Sequence, residues 1–216
     1  MTADLSPDII AHIAAHFPLR PVPAIPEICL RKAMPSSGIW RLAEAEGADF
    51  LAPYWSSWWG GGVALARWVL DHPARVAGKR VLDVGAGSGL VGIAAAKAGA
   101  ARVLAVDVDR YAVAATRLNA AANGVEIEAR CGDGLKGAAP DVDVVLVGDV
   151  FYEPALAART SAFLERYVAR GIAAYVGDPG RASLPRARLR LVAEYESADY
   201  ADGENARGWG GVFGFG

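Results

Sequence analysis

The chain is poor in the features that mark secreted, membrane-bound or metal-holding proteins. Cysteine occurs twice, as Cys29 and Cys131, far apart in sequence. Two distant cysteines make no disulfide framework and read as free thiols in a reducing compartment. No apolar run approaches the ~20 residues that span a bilayer. The first residues include Asp4 and Asp8 where a secretory signal would be basic and then apolar. Lysine is scarce, and the net charge is −2 at pH 7 over 216 residues. Such a chain has no broad positive field to gather nucleic acid. His12 and His16 stand four apart on a predicted helix, but no third ligand accompanies them, so no metal is expected. These absences predict a cytoplasmic protein with neither a nucleic-acid nor a membrane partner.

What is present is alternation. Ser6 to Phe17 reads as a helix with Ser6 as cap and Pro7 in the first turn. Four prolines make residues 18–26 extended, and a short helix is expected over Ile39 to Glu46. Tyr54 to Gly62 is aromatic and then glycine-rich, followed by a helical pattern from Val63 to Leu70 that stops before Pro73. Strands are predicted near 80–84, 102–106, 126–130, 142–147 and 172–176, with helices over 90–98, 110–123 and 155–168 between them. Arg186 to Tyr195 and Val212 to Phe215 read as two closing strands. Regular strand–helix alternation predicts an α/β, Rossmann-like, mainly parallel sheet with helices on both faces. Residues 1–50 are expected to form a helical and Pro-rich segment packing on a domain that spans 51–216. Trp40 and Trp68 are assigned to packing.

The most informative run is Val81-Leu-Asp-Val-Gly-Ala-Gly-Ser-Gly89. A strand ends near an acid, turns through Gly85, Gly87 and Gly89, and enters a helix. Glycine lets the chain turn tightly and lets a ligand approach the backbone, and the helix start offers unpaired N–H groups. Gly87-x-Gly89-x-x-Gly92 matches the dinucleotide fingerprint, which keeps an NAD-dependent oxidoreductase open. Asp83 argues otherwise, because a carboxylate repels a pyrophosphate and attracts an ammonium group. S-adenosylmethionine (SAM) carries an ammonium and a sulfonium and no phosphate. Asp107 ends the next strand about twenty residues on, where a ribose-binding acid belongs in either case. Asp109 is the expected cap of the following helix.

Asp83, Gly85, Gly87 and Gly89 together resemble the first motif of the class I SAM-dependent methyltransferases. That resemblance implies a seven-stranded sheet with an antiparallel last strand. It also implies that the Cys131-Gly132-Asp133-Gly134 turn meets the adenine, with Asp133 accepting from its amine. Gly148-Asp149-Val150-Phe151-Tyr152 follows the fourth strand, at the cofactor's reactive end. Asp149 to Tyr152 resembles the D-x-F-Y motif of the family-16 protein lysine methyltransferases. Residues 54–67 and Gly177-Asp178-Pro179-Gly180-Arg181 are similar to the branch acting on the electron transfer flavoprotein beta subunit. The resemblance runs from about Pro26 to the Trp209–Phe215 ending. It implies a bacterial-type enzyme, expected to be a monomer, with that subunit as protein substrate. Trp59 would then pack on the cofactor. Asp149 would capture and orient the lysine amine, and Phe151 and Tyr152 would wall its channel. Asp178 and Arg181 would contact substrate or order their loop. Other acceptors stay open: a ribosomal protein, a small amine or a nucleic acid, the last through a basic face of Arg186, Arg188 and Arg190. So does a non-catalytic module of the same fold.

Overall fold

A computed structural model of the chain describes residues 7–39, 42, 51–137, 140–197 and 208–216. Helix α1 is Pro7–His16, and it leads into an antiparallel hairpin of β1 (Leu19–Val22) and β2 (Ile25–Arg31). The stretch read only as extended is therefore paired. Pro21 is tolerated because β1 has a single neighbour, so the missing N–H costs no second ladder. Ser6, Trp40 and most of the expected helix over 39–46 lie outside the described residues.

Helix α2 (Gly60–Asp71) precedes β3 (Arg80–Val84), α3 (Leu90–Lys97), β4 (Arg102–Asp107), α4 (Arg110–Ala122), β5 (Glu128–Cys131) and β6 (Val144–Gly148). Then come α5 (Pro154–Val168), β7 (Ala173–Asp178), β8 (Leu189–Glu196) and β9 (Trp209–Phe215). The seven strands of the main sheet lie in the order β5-β4-β3-β6-β7-β9-β8. β3 to β7 pair in parallel, and β9 is antiparallel to both of its neighbours. The expected fold class is the observed one. The closing region differs in detail: Arg186–Arg188 is a short 3-10 turn, and β8 begins only at Leu189. Arg186 and Arg188 are bonded to Gly180 O and to Glu165, so no alternating basic strand face forms.

The sheet sorts its apolar residues by period two, as strands covered on both faces must. On β6, Val144 and Leu146 face the cluster beneath α2 and α3, while Val145 and Val147 face the cluster beneath α5. Trp68 is buried in the first cluster. The aromatic Phe17, Trp55 and Tyr111 form a third cluster that ties α1 and the 54–56 turn to α4. Helix α2 crosses the sheet at its closest point through two glycines. A Cβ on Gly61 or on Gly177 would overlap the backbone of the other, so the start of α2 sits directly on the end of β7.

Candidate functional site

The carboxyl ends of β3, β4 and β6 open into a cavity of about 530 Å³, where open α/β sheets bind ligands. Asp83, Gly85, Gly87, Asp107, Gly132, Asp133, Gly148, Asp149, Tyr152 and Trp59 all line it. The structure thus brings together nearly every residue singled out in the sequence. Gly89 and Phe151 are the exceptions: Gly89 is turned toward Thr116 of α4. Chain direction alternates after Asp149, so Val150 and Tyr152 reach the cavity while Phe151 is fully buried in the core against α5. It packs; it does not wall a channel.

The turn after β3 is held from within. Gly85, Gly87 and Gly89 adopt φ of 68°, 53° and 82°, the left-handed region that glycine enters without penalty. Gly85 N and Ala86 N donate to Val106 O, Gly89 N to Ala86 O, and Gly87 N to Asp107 Oδ2 at 2.8 Å. These donors are engaged inside the protein, so a pyrophosphate would find them occupied and a carboxylate beside it. That geometry does not favour the dinucleotide reading. Asp107 also accepts from Asp109 N at 2.9 Å, and a carboxylate with about four acceptor sites keeps capacity for a diol. Asp109 caps α4 as expected, accepting from Tyr111 N at 2.7 Å.

Two side chains not anticipated from the sequence clamp this turn. Thr116 Oγ1 donates to Gly87 O at 3.2 Å, and Asn119 Nδ2 donates to Ser88 O at 2.8 Å. Asn119 Oδ1 also accepts from Arg31 N at 2.9 Å, joining the turn to the N-terminal hairpin. The available signal was polar residues on the buried stripe of α4, where an apolar face was expected.

Burial sets the electrostatics. Asp83 is 1 % exposed and its Oδ2 accepts from Gly92 N at 2.8 Å. Desolvation, with repulsion from Asp107, pushes its carboxyl up to about 7. Asp107 is raised by desolvation as well, against its backbone N–H bonds, and Asp109 to about 6 for the same leading reason. Buried carboxylates at one end of a cavity invite a cation. Asp133 differs: it pairs with Arg159 and, at 3.5 Å, with Lys136, and accepts from Leu135 N.

At the other end, Asp149 is the one non-glycine with positive φ, 57°, among the described residues. Its Oδ1 accepts from Gly61 N at 3.2 Å and Arg181 Nη2 at 2.8 Å, and its Oδ2 from Gly62 N at 2.5 Å. Tyr152 and Tyr54 face each other with centroids 5.8 Å apart, and Trp59 meets Tyr54 edge-on at 5.4 Å while its Nε1 donates to Tyr54 O. Tyr54 is a further wall residue that the sequence reading passed over. Burial raises the Tyr152 hydroxyl above its ordinary value, so it stays protonated.

Known proteins are similar to this chain in sequence and fold. The family model of the ribosomal protein L11 methyltransferase (PrmA) matches residues 68–153. The electron transfer flavoprotein beta subunit lysine methyltransferase of Danio rerio is 37 % identical over 186 residues, covering 83 % of this chain and 72 % of that protein. The protein of the same name from Xenopus laevis is 39 % identical over 189 residues, covering 85 % and 76 %. The crystal structure of magnesium protoporphyrin IX methyltransferase (ChlM) from Synechocystis PCC 6803 with bound SAM shares the fold, with a TM-score of 0.54 at 14 % identity over 84 % of this chain and 92 % of that one. Fold, cavity and relatives define a class I SAM-dependent methyltransferase. Within that class the chain belongs to the electron transfer flavoprotein beta subunit lysine methyltransferase family, and its reaction is SAM-dependent protein-lysine N-methylation. The described residues fit the cofactor: the cavity is large enough, its turn carries only the small side chains of Ala86 and Ser88, and buried carboxylates wait at the end where an ammonium is needed.

Proposed function

We propose that the chain methylates lysine side chains of the electron transfer flavoprotein beta subunit, in the cytoplasm. Three carboxylates on successive strand ends around one cavity carry the reading, because they suit a cationic methyl donor and an amine. The identity with relatives named for that subunit supports the acceptor, and two free cysteines support a reducing setting.

In this reading Asp83 meets the ammonium of SAM, Asp107 its ribose diol, and the Gly132–Asp133 turn its adenine. Gly85, Gly87 and Gly148 leave the floor bare, Gly89 lets the turn close against Thr116, and Trp59 packs beside the floor. SAM supplies the methyl group, whose bond to sulfur breaks as the bond to lysine Nζ forms. The chain supplies alignment, which accounts for much of the acceleration. Lysine must arrive without its proton. From a reference pKa near 10.4, neutralising it at pH ~7.4 costs roughly 4 kcal/mol. Tyr54 and Tyr152, each about half exposed, and Trp59 form an aromatic wall whose rings favour the neutral amine. Asp149 orients that amine by accepting its hydrogen bond.

The test is incubation of the purified protein with the flavoprotein beta subunit and radiolabelled SAM, with the modified residue mapped by mass spectrometry. Labelled lysine in that subunit is expected. Label confined to another protein of the same cells would remove the acceptor assignment. A thermal-shift panel with SAM, its demethylated product and NAD is expected to respond to the first two alone.

A further inference from the structure

Arg181 brings a fixed positive charge to the acceptor end of the cavity. Its Nη2 lies 2.8 Å from Asp149 Oδ1, and the two side chains are only 20 % and 9 % exposed. The guanidinium also sits 5.9 Å from the Trp59 ring centroid. Its loop is built to hold it there. Asp178 is completely buried, and its Oδ1 accepts from both Gly180 N and Arg181 N at 2.7 Å. Arg186 Nη2 donates to Gly180 O at 3.1 Å from the other side.

A bare carboxylate at position 149 would hold an arriving lysine as ammonium, the wrong species for attack. Asp149 is not bare. Arg181 remains protonated at any working pH, and Gly61 N and Gly62 N present the positive end of α2. We propose that Arg181 is a positioning residue: it offsets the charge of Asp149, so that the carboxylate orients the acceptor amine without trapping it as ammonium. The inference rests on the amine acceptor of the function proposed above. In the transfer the Nζ–C bond forms as the C–S bond breaks, the amine having already given its proton to water, and Arg181 exchanges none.

The other charges around the cavity leave Arg181 alone in this role. β3, β4 and the cap of α4 contribute Asp83, Asp107 and Asp109 at the cofactor end. Arg159 of α5 is the second cation among the described lining residues, and it is engaged with Asp133. Tyr54 and Tyr152 face the acceptor end, and the raised Tyr152 hydroxyl stays protonated.

The experiment is the pH profile of kcat, at saturating SAM and saturating flavoprotein beta subunit, for wild type, Arg181→Gln and Arg181→Lys. Arg181→Gln is expected to move the acid limb up by about one pH unit, a loss of about tenfold at pH 7 that is recovered at high pH. Arg181→Lys keeps the charge and is expected to leave the limb where it is. SAM affinity stays within about twofold in both. Arg181→Met, which keeps the packing on Trp59, serves the same comparison should Arg181→Gln not fold. Equal loss at every pH with an unmoved limb would overturn the inference and leave a merely structural Arg181. A limb moved equally by Arg181→Lys would overturn it too. A wild-type protein that transfers no methyl group to lysine would overturn the functional reading and this inference together.

Discussion

The turn after β3 and the turn after β6 both bring left-handed backbone to the rim of one cavity, with different residues. After β3 the positions are Gly85, Gly87 and Gly89; after β6 the position is Asp149. Glycine enters that region freely and leaves nothing in a ligand's way. An aspartate there costs on the order of 1 kcal/mol and keeps a side chain. The first turn is shaped to be approached; the second accepts strain to present a carboxylate. Strain of this kind concentrates at functional positions.

Breaking the second turn should have the larger effect. Asp149→Ala is expected to lower kcat by about 10²-fold or more, since a misplaced amine alone costs that much, while SAM affinity by calorimetry stays within a few-fold. Asp149→Gly should be as inactive yet more stable to heat than Asp149→Ala by roughly 1 kcal/mol, because glycine relieves the left-handed strain. Breaking the first turn should show in binding. Gly89→Ala forces a left-handed alanine whose Cβ would lie 2.9 Å from Thr116 Cγ2. About a tenfold weaker Kd for SAM and a loss of roughly 1–3 kcal/mol in stability are expected. Normal SAM affinity in that variant would place the cofactor elsewhere.

The pH dependence of SAM binding sharpens the comparison. Asp83, raised to about 7 by burial, is mostly protonated below that pH in the ligand-free protein. An ammonium needs the ionised form, so affinity should rise about fivefold between pH 6 and 7, and Asp83→Asn should flatten the rise. The same shift has a stability consequence. The folded state holds a proton that the unfolded chain releases between about pH 4 and 7, so this contribution is greatest at low pH and fades as pH climbs through 7. Asp83→Asn should therefore raise the Tm of the ligand-free protein at pH 8. The smallest functional effect belongs to Phe151→Leu, which is expected to cost about 1 kcal/mol of stability with kcat and SAM affinity unchanged. A large fall in kcat would return Phe151 to the acceptor channel.

Much of this molecule is written locally. Gly85 to Gly89 between an apolar strand and a helix can do little but turn, and Asp109 before an alanine-rich helix caps it; such features depend on neighbours a few residues away. The order of strand–helix units then implies the parallel sheet, and with it the meeting of Asp83, Asp107 and Asp149 at one edge. What the chain alone did not disclose depends on partners distant in sequence. Phe151 and Tyr152 adjoin in the motif, and only the left-handed Asp149 decides which one faces the cavity. The clamp of Thr116 and Asn119 on the glycine turn and the guanidinium of Arg181 on Asp149 join residues 29, 31 and 32 positions apart. Local preference sets where a chain bends and which face is apolar. Which charges end up close together, and how far water is removed from them, is set by packing, and it is packing that tells Asp149 and Asp83 apart.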